Sequence, residues 1–177
     1  QGAISVSDAL PAFLPNLGRL TLTGSNVSIT SSDFGGRGLG IAAVGTGAAT
    51  ISTVTPRTDR GNGTLTVTDS TLRSTGRGGT LLSGEFVDVV NSSLGTAFTA
   101  SPLSGVSGPI DIFGREVTIF GSLISASTFG AENAGEIRIA GERVSITGGS
   151  MVVSETRRIS TGEAGTIRIT GDLVEIL

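Results

Sequence analysis

The chain has no cysteine, histidine, tryptophan, tyrosine or lysine among its 177 residues. Without cysteine and histidine there is no disulfide framework, thiolate or imidazole metal site, Ser-His-Asp triad or cysteine nucleophile. All the basic residues are arginine, 12 against 15 acidic residues, for a net charge of −3. No field of one sign points to nucleic acid or to an acidic membrane surface, so no nucleic-acid partner is expected. Aromatic residues are only 4% of the chain while hydrophobic residues reach 37%, so the apolar core must be aliphatic. Residues 38–49, GLGIAAVGTGAA, are the nearest approach to a long apolar run. They fall short of the roughly 20 residues a membrane span needs. Calcium repeats of the GGxGxD kind are missing, and no metal or cofactor is expected. Gly35-Gly36-Arg37-Gly38 and Gly76-Arg77-Gly78-Gly79 lack the strand, loop, helix and lysine of a phosphate-binding loop and read as corners.

What is present is repetition. Serine and threonine supply roughly a quarter of the chain, a composition that alone suggests disorder, yet mean hydropathy is +0.28 and apolar residues alternate regularly. Ala134-Gly135-Glu136-Ile137-Arg138-Ile139-Ala140-Gly141 recurs 30 residues later as Ala164-Gly165-Thr166-Ile167-Arg168-Ile169-Thr170-Gly171. Degenerate copies begin at Ile110, Val87, Leu65 and Leu20, in steps of 27, 23, 22 and 45 residues. The last step is double, so one poorly marked unit is expected around Gly40 to Val54.

Each unit shows the period of two that marks a strand with one buried face, broken by Gly, Asn or Asp. Three short strands joined by sharp turns make one coil, and coils stack because a single coil cannot bury its inward residues. The sequence thus predicts an all-β parallel β-helix, a β-solenoid of roughly seven coils. Residues 18–177 are expected to form the repeat domain, and residues 1–17 an irregular segment or partial cap containing Pro11 and Pro15. Inward columns are expected through Leu20, Leu65, Val87, Ile110, Ile137 and Ile167, and through Val27, Leu72, Leu94, Val117, Val144 and Val174, with Ile139 and Ile169 also inward.

The stretch from Gly121 to Ile139, GSLISASTFGAENAGEIRI, resembles the shaft repeats of filamentous-haemagglutinin-like exoproteins of the two-partner secretion pathway, cyanobacterial type. The resemblance is clear from about Gly108 to Leu177 and extends upstream to Gly18. It implies a right-handed β-helix, export through an outer-membrane transporter, a secreted or cell-surface location, and a role in adhesion or fibre formation. The family's NPNG-type secretion signature does not occur in this sequence. Any export signal is expected to have been removed or to lie outside the stretch beginning at Gln1, and the strand ending in Val174, Ile176 and Leu177 is expected either to continue into further coils or to make end-to-end contacts.

Other chemistries compete with a structural role. Asp88 and Asp111 are expected to share an outward column, followed by Arg138 and Arg168. Two carboxylates so placed could contact or cleave a polysaccharide, since glycosidases need such a pair about 5 to 9.5 Å apart. As solubilising surface residues they need no such role. Thr21, Thr23, Thr64, Thr66 and Thr68 raise an ice-binding alternative, but that row is expected to pass to Asp88, Asp111, Arg138 and Arg168. Asn26, Asn62 and Asn91 open glycosylation sequons, which arise easily in so Ser- and Thr-rich a chain, and Arg157 and Arg158 read as a solvated loop. The reading favoured by the residues is non-enzymatic.

Overall fold

The computed structural model describes residues 63–74, 79–96, 107–128, 131–156 and 161–177, together with the strands that precede them and the Ile29 side chain. The described residues contain no helix. Among the described residues nineteen strands follow one another through three parallel sheets in strict rotation, six coils and one further strand. Sheet A takes every third strand from the first: β1 (Ile4–Ser7), β4 (Val27–Thr30), β7 (Thr64–Thr68), β10 (Phe86–Val90), β13 (Glu116–Phe120), β16 (Arg143–Thr147) and β19 (Leu173–Ile176). Sheet B holds β2 (Ala12–Phe13), β5 (Asp33–Gly36), β8 (Thr71–Ser74), β11 (Ser93–Thr96), β14 (Leu123–Thr128) and β17 (Met151–Thr156). Sheet C holds β3 (Arg19–Gly24), β6 (Gly38–Ala43), β9 (Thr80–Ser83), β12 (Ile110–Phe113), β15 (Ile137–Ala140) and β18 (Ile167–Thr170). This is a parallel β-helix with three strands per coil.

Alternation fixes which side chains face inward. In β7 the burial alternates so that Leu65 and Val67 are fully buried while Thr64, Thr66 and Thr68 are not. The same pattern recurs at Val87 and Val89, at Val117 and Ile119, and at Val144 and Ile146. Parallel in-register pairing stacks these into two aliphatic columns of sheet A. Sheet B contributes Leu72, Leu94 and Ile124, and sheet C contributes Leu82, Ile110, Ile112, Ile137 and Ile139, to one continuous core. At about 25 cal/mol per Å² of apolar area, each fully buried Leu, Ile or Val stabilises the stack by roughly 1.5–3 kcal/mol relative to exposure.

The columns differ from those expected from sequence. Leu65 and Val87 stack with Val117, Val144 and Val174 in sheet A, not with Ile110, Ile137 and Ile167 in sheet C. Leu72 and Leu94 stack with Ile124 and Val152 in sheet B, not with Val117. The physical reason is that two different corners carry the same spacing. Five residues separate the inward Val67 and Leu72 across an A-to-B corner, and five separate Ile112 and Val117 across a C-to-A corner. Apolar spacing alone therefore cannot say which sheet a strand enters.

The double step from Leu20 to Leu65 holds three strands, β4, β5 and β6, and β6 pairs between β3 and β9 in sheet C. Residues 44–62, which include most of the stretch from Gly40 to Val54, lie outside the described residues. Within the leading 17 residues, expected to be irregular, β1 pairs with β4 and β2 with β5, so the first coil begins at Ile4.

Candidate functional site

The two kinds of corner have distinct chemistry. At A-to-B corners the chain turns through a residue in the left-handed region, Asp69 (φ 47°), Asn91 (φ 48°) or Gly121 (φ 59°), and then enters a serine. Ser92 Oγ accepts from the Ser70 N–H at 3.1 Å and donates to the Val90 carbonyl at 2.7 Å. Ser122 Oγ accepts from the Ser92 N–H at 3.0 Å and donates to the Phe120 carbonyl at 2.9 Å. Ser150 Oγ accepts from the Ser122 N–H at 3.2 Å. Four serines thus form a hydrogen-bonded ladder along the axis. They satisfy corner N–H groups that the sheets leave unpaired. Sequence reasoning missed this ladder, although an Asp-, Asn- or Gly-Ser dipeptide after each five-residue strand was a readable signal.

At C-to-A corners a glycine is followed by charged residues, as in Gly114-Arg115-Glu116 and Gly141-Glu142-Arg143. A side chain at Gly114 would place its Cβ 2.9 Å from the Glu116 carbonyl oxygen, so the backbone passes too close for anything larger. Arg115 contacts Glu85 at 3.2 Å and stacks over the Phe86 ring at 5.0 Å. Arg143 pairs with Glu116, which raises its pKa above the usual arginine value. Arg115, Glu142, Arg143, Asp172 and Leu173 line a shallow depression. Mixed charge of this kind on an exposed strip contributes little stability per pair.

Asp88 and Asp111 do not share a column. Asp88 lies in sheet A between Thr66 and Thr118, whereas Asp111 lies in sheet C between Leu81 and Arg138. Asp111 is 1% exposed, so it cannot offer a free carboxylate to a glycan. Its oxygens accept two hydrogen bonds from Arg138, Nε to Oδ1 at 2.6 Å and Nη2 to Oδ2 at 3.1 Å. Donating these hydrogen bonds to Asp111 raises the Arg138 pKa, against a smaller opposing effect of burial. Paired with a guanidinium, Asp111 is a structural acid. Asp88 is part-exposed and makes no hydrogen bond or ion pair among the described residues.

The hydroxyl row of sheet A also follows a course different from the one expected. From Thr66 it passes to Asp88, Thr118, Ser145 and Glu175, never reaching Asp111, Arg138 or Arg168. The side chains of Thr21 and Thr23, and residues Asn26, Asn62, Arg157 and Arg158, lie outside the described residues. Among the described residues no group of three or more acidic side chains is placed to hold a metal ion.

The last strands carry the expected contact residues. Val174 and Ile176 extend the two inner columns of sheet A but are 40% and 62% exposed, and Leu177 is 81% exposed. Ile167 and Ile169 continue the sheet C columns, with Ile167 41% exposed and Ile169 partly buried against the core. Ile167 and Val174 are thus not buried in the stack as the members below them are, because β18 and β19 each pair on one side only. Leu20 is placed in sheet C beside Leu39.

No family model, curated protein or solved structure matches the chain.

Proposed function

We propose that the protein is a non-enzymatic structural and adhesive β-solenoid segment of a secreted or cell-surface fibre, acting through stacked coils, long exposed faces and contacts at its open edge. The observation that carries this reading is the condition of the inner columns. In sheet A they run without interruption from Leu65 and Val67 through Val87 and Val89, Val117 and Ile119, and Val144 and Ile146 to Val174 and Ile176.

The resemblance of the repeats to filamentous-haemagglutinin-like shafts supports the same reading and supplies its export route, through an outer-membrane transporter. The polysaccharide-cleaving alternative needed Asp88 and Asp111 side by side, and no observation now favours it. The ice-binding alternative needed an unbroken hydroxyl face, which Phe86, Asp88 and the Glu116–Arg143 pair interrupt.

Electron microscopy of the purified protein tests the proposal. Filaments along the coil axis are expected, and Ile176→Asp should shorten or abolish them while leaving the coils folded. Isolated particles alone, at every concentration, would overturn it.

A further inference from the structure

Among the described residues, Phe120 is an exposed aromatic set apart from the charged strip. Phe120 ends β13 and is 47% exposed. Its ring lies against Gly148 of the next coil: a Cβ at Gly148 would meet three adjacent ring carbons at 2.6, 2.7 and 2.9 Å. Gly148 also has a φ of 67°, so both the turn and the ring require glycine there. The ring is therefore seated on backbone while nearly half the residue remains open to solvent. An aromatic fixed in this way needs no ordering when a ligand arrives.

Two polar residues lie near it on the coil beneath, on either side of Val90, which is in register with Phe120. The Asn91 N–H donates to the Phe120 carbonyl at 2.9 Å, and the Asn91 amide leans towards Gly121, whose Cβ would lie 2.7 Å from Oδ1. Asp88, three residues earlier, is in register with Thr118, two residues before Phe120. Neither the Asn91 amide nor the Asp88 carboxylate bonds to another described side chain or backbone group. Leu123 and Met151 pair across β14 and β17 around the same corner, 38% and 57% exposed.

We propose that Phe120, Asn91 and Asp88 form a binding platform for a neutral glycan. The ring offers an apolar face to the C–H side of a sugar. The amide donates and accepts, and the carboxylate only accepts, which suits the vicinal hydroxyls of a polyol. The platform's one charge is a carboxylate without a partner among the described residues, so an anionic polysaccharide is disfavoured by like-charge repulsion. This site rests on the adhesive reading above and gives that reading a ligand class.

The test uses the full chain and soluble oligosaccharides, neutral cello-, malto- and manno-oligomers beside an oligogalacturonate, followed by saturation-transfer NMR and titration. At least one neutral oligomer is expected to bind with a Kd on the order of 1 mM or tighter, as a small open site allows. Phe120→Ala should weaken it about tenfold, the order expected for losing one aromatic contact. Asp88→Asn and Asn91→Ala should each weaken it severalfold, with thermal midpoints near that of the parent. Phe120→Leu, which keeps an apolar residue on Gly148, separates loss of stacking from local unfolding and should bind as poorly as the alanine variant. The inference is overturned if no neutral oligomer binds, if Phe120→Ala binds as the parent does, or if oligogalacturonate binds more tightly than every neutral oligomer. Capture of a protein ligand at this face that Phe120→Ala abolishes, without sugar binding, would also overturn it. Filament formation by Phe120→Ala in the microscope keeps the two readings apart, since the fibre stands or falls independently of the platform.

Discussion

Thr80 offers a substitution whose sign can be worked out in advance. It occupies an inner column of sheet C, in register with Leu39 below and Ile110 above, and is 2% exposed. Its backbone N–H donates to the Pro109 carbonyl at 2.8 Å, but its hydroxyl has no hydrogen-bond partner. A buried hydroxyl left without a partner costs about 1–3 kcal/mol. Thr80→Val keeps the shape and β-branching, removes that hydroxyl and adds a methyl to an aliphatic column. It is expected to stabilise the protein by about 1–2 kcal/mol, raising the thermal midpoint by roughly 2–8 °C for a chain of this size.

Thr96→Val is the control. Thr96 is 1% exposed, but its hydroxyl bonds Ser107 Oγ at 2.9 Å, and the same chemical change there leaves the Ser107 hydroxyl without that partner. It should destabilise by about 1–2 kcal/mol. Thermal unfolding followed by circular dichroism, with amide hydrogen exchange of the flanking strands, reads both. Hydrogen exchange matters because stacked repeats need not unfold in one cooperative step. If Thr80→Val lowers the midpoint, or if both variants shift it the same way, the assignment of Thr80 to a dry inner column is refuted.

Further outcomes follow from the same packing. Ile139→Asp places an unpaired carboxylate between Ile112 and Ile169 and should abolish cooperative unfolding, a loss of at least about 4 kcal/mol checked by urea titration. Arg138→Leu leaves the Asp111 carboxylate buried without its partner and should cost about 3 kcal/mol at neutral pH, read from the urea midpoint. Because the folded-state pKa of Arg138 is raised, its pairing contributes fully at neutral pH and below the ordinary arginine range, and is lost only as pH rises through the folded value. The parent's stability should therefore show no step from this group between neutral and mildly alkaline pH. Gly121→Ala combines a left-handed backbone with a clash at Asn91 Oδ1 and should cost about 1–3 kcal/mol, while Asn91→Gly at the preceding corner should be nearly neutral.

The sequence by itself determined the class of structure. A period of two, interrupted at short intervals, permits only short strands. The lack of aromatics leaves aliphatic side chains to fill the interior, and near-copies 30 residues apart demand stacking of like on like. Leu65, Val87, Ile110, Ile137, Ile139, Val117 and Val144 could be read as inward-facing because each holds the buried phase of its own alternating strand.

Which column each residue joins was decided only by the tertiary structure. Both corner types separate inward residues by the same five positions, so local alternation is blind to the sheet. Backbone pairing then sent Asp88 to sheet A and Asp111 to sheet C, separating two carboxylates that looked like a pair. The structure also converted Asp111 from an exposed acid into a buried partner of Arg138, a contact across 27 positions in sequence. The serine ladder and the seating of Phe120 on Gly148 likewise arise between coils. Their partners meet because pairing brings residues 22 to 30 positions apart side by side.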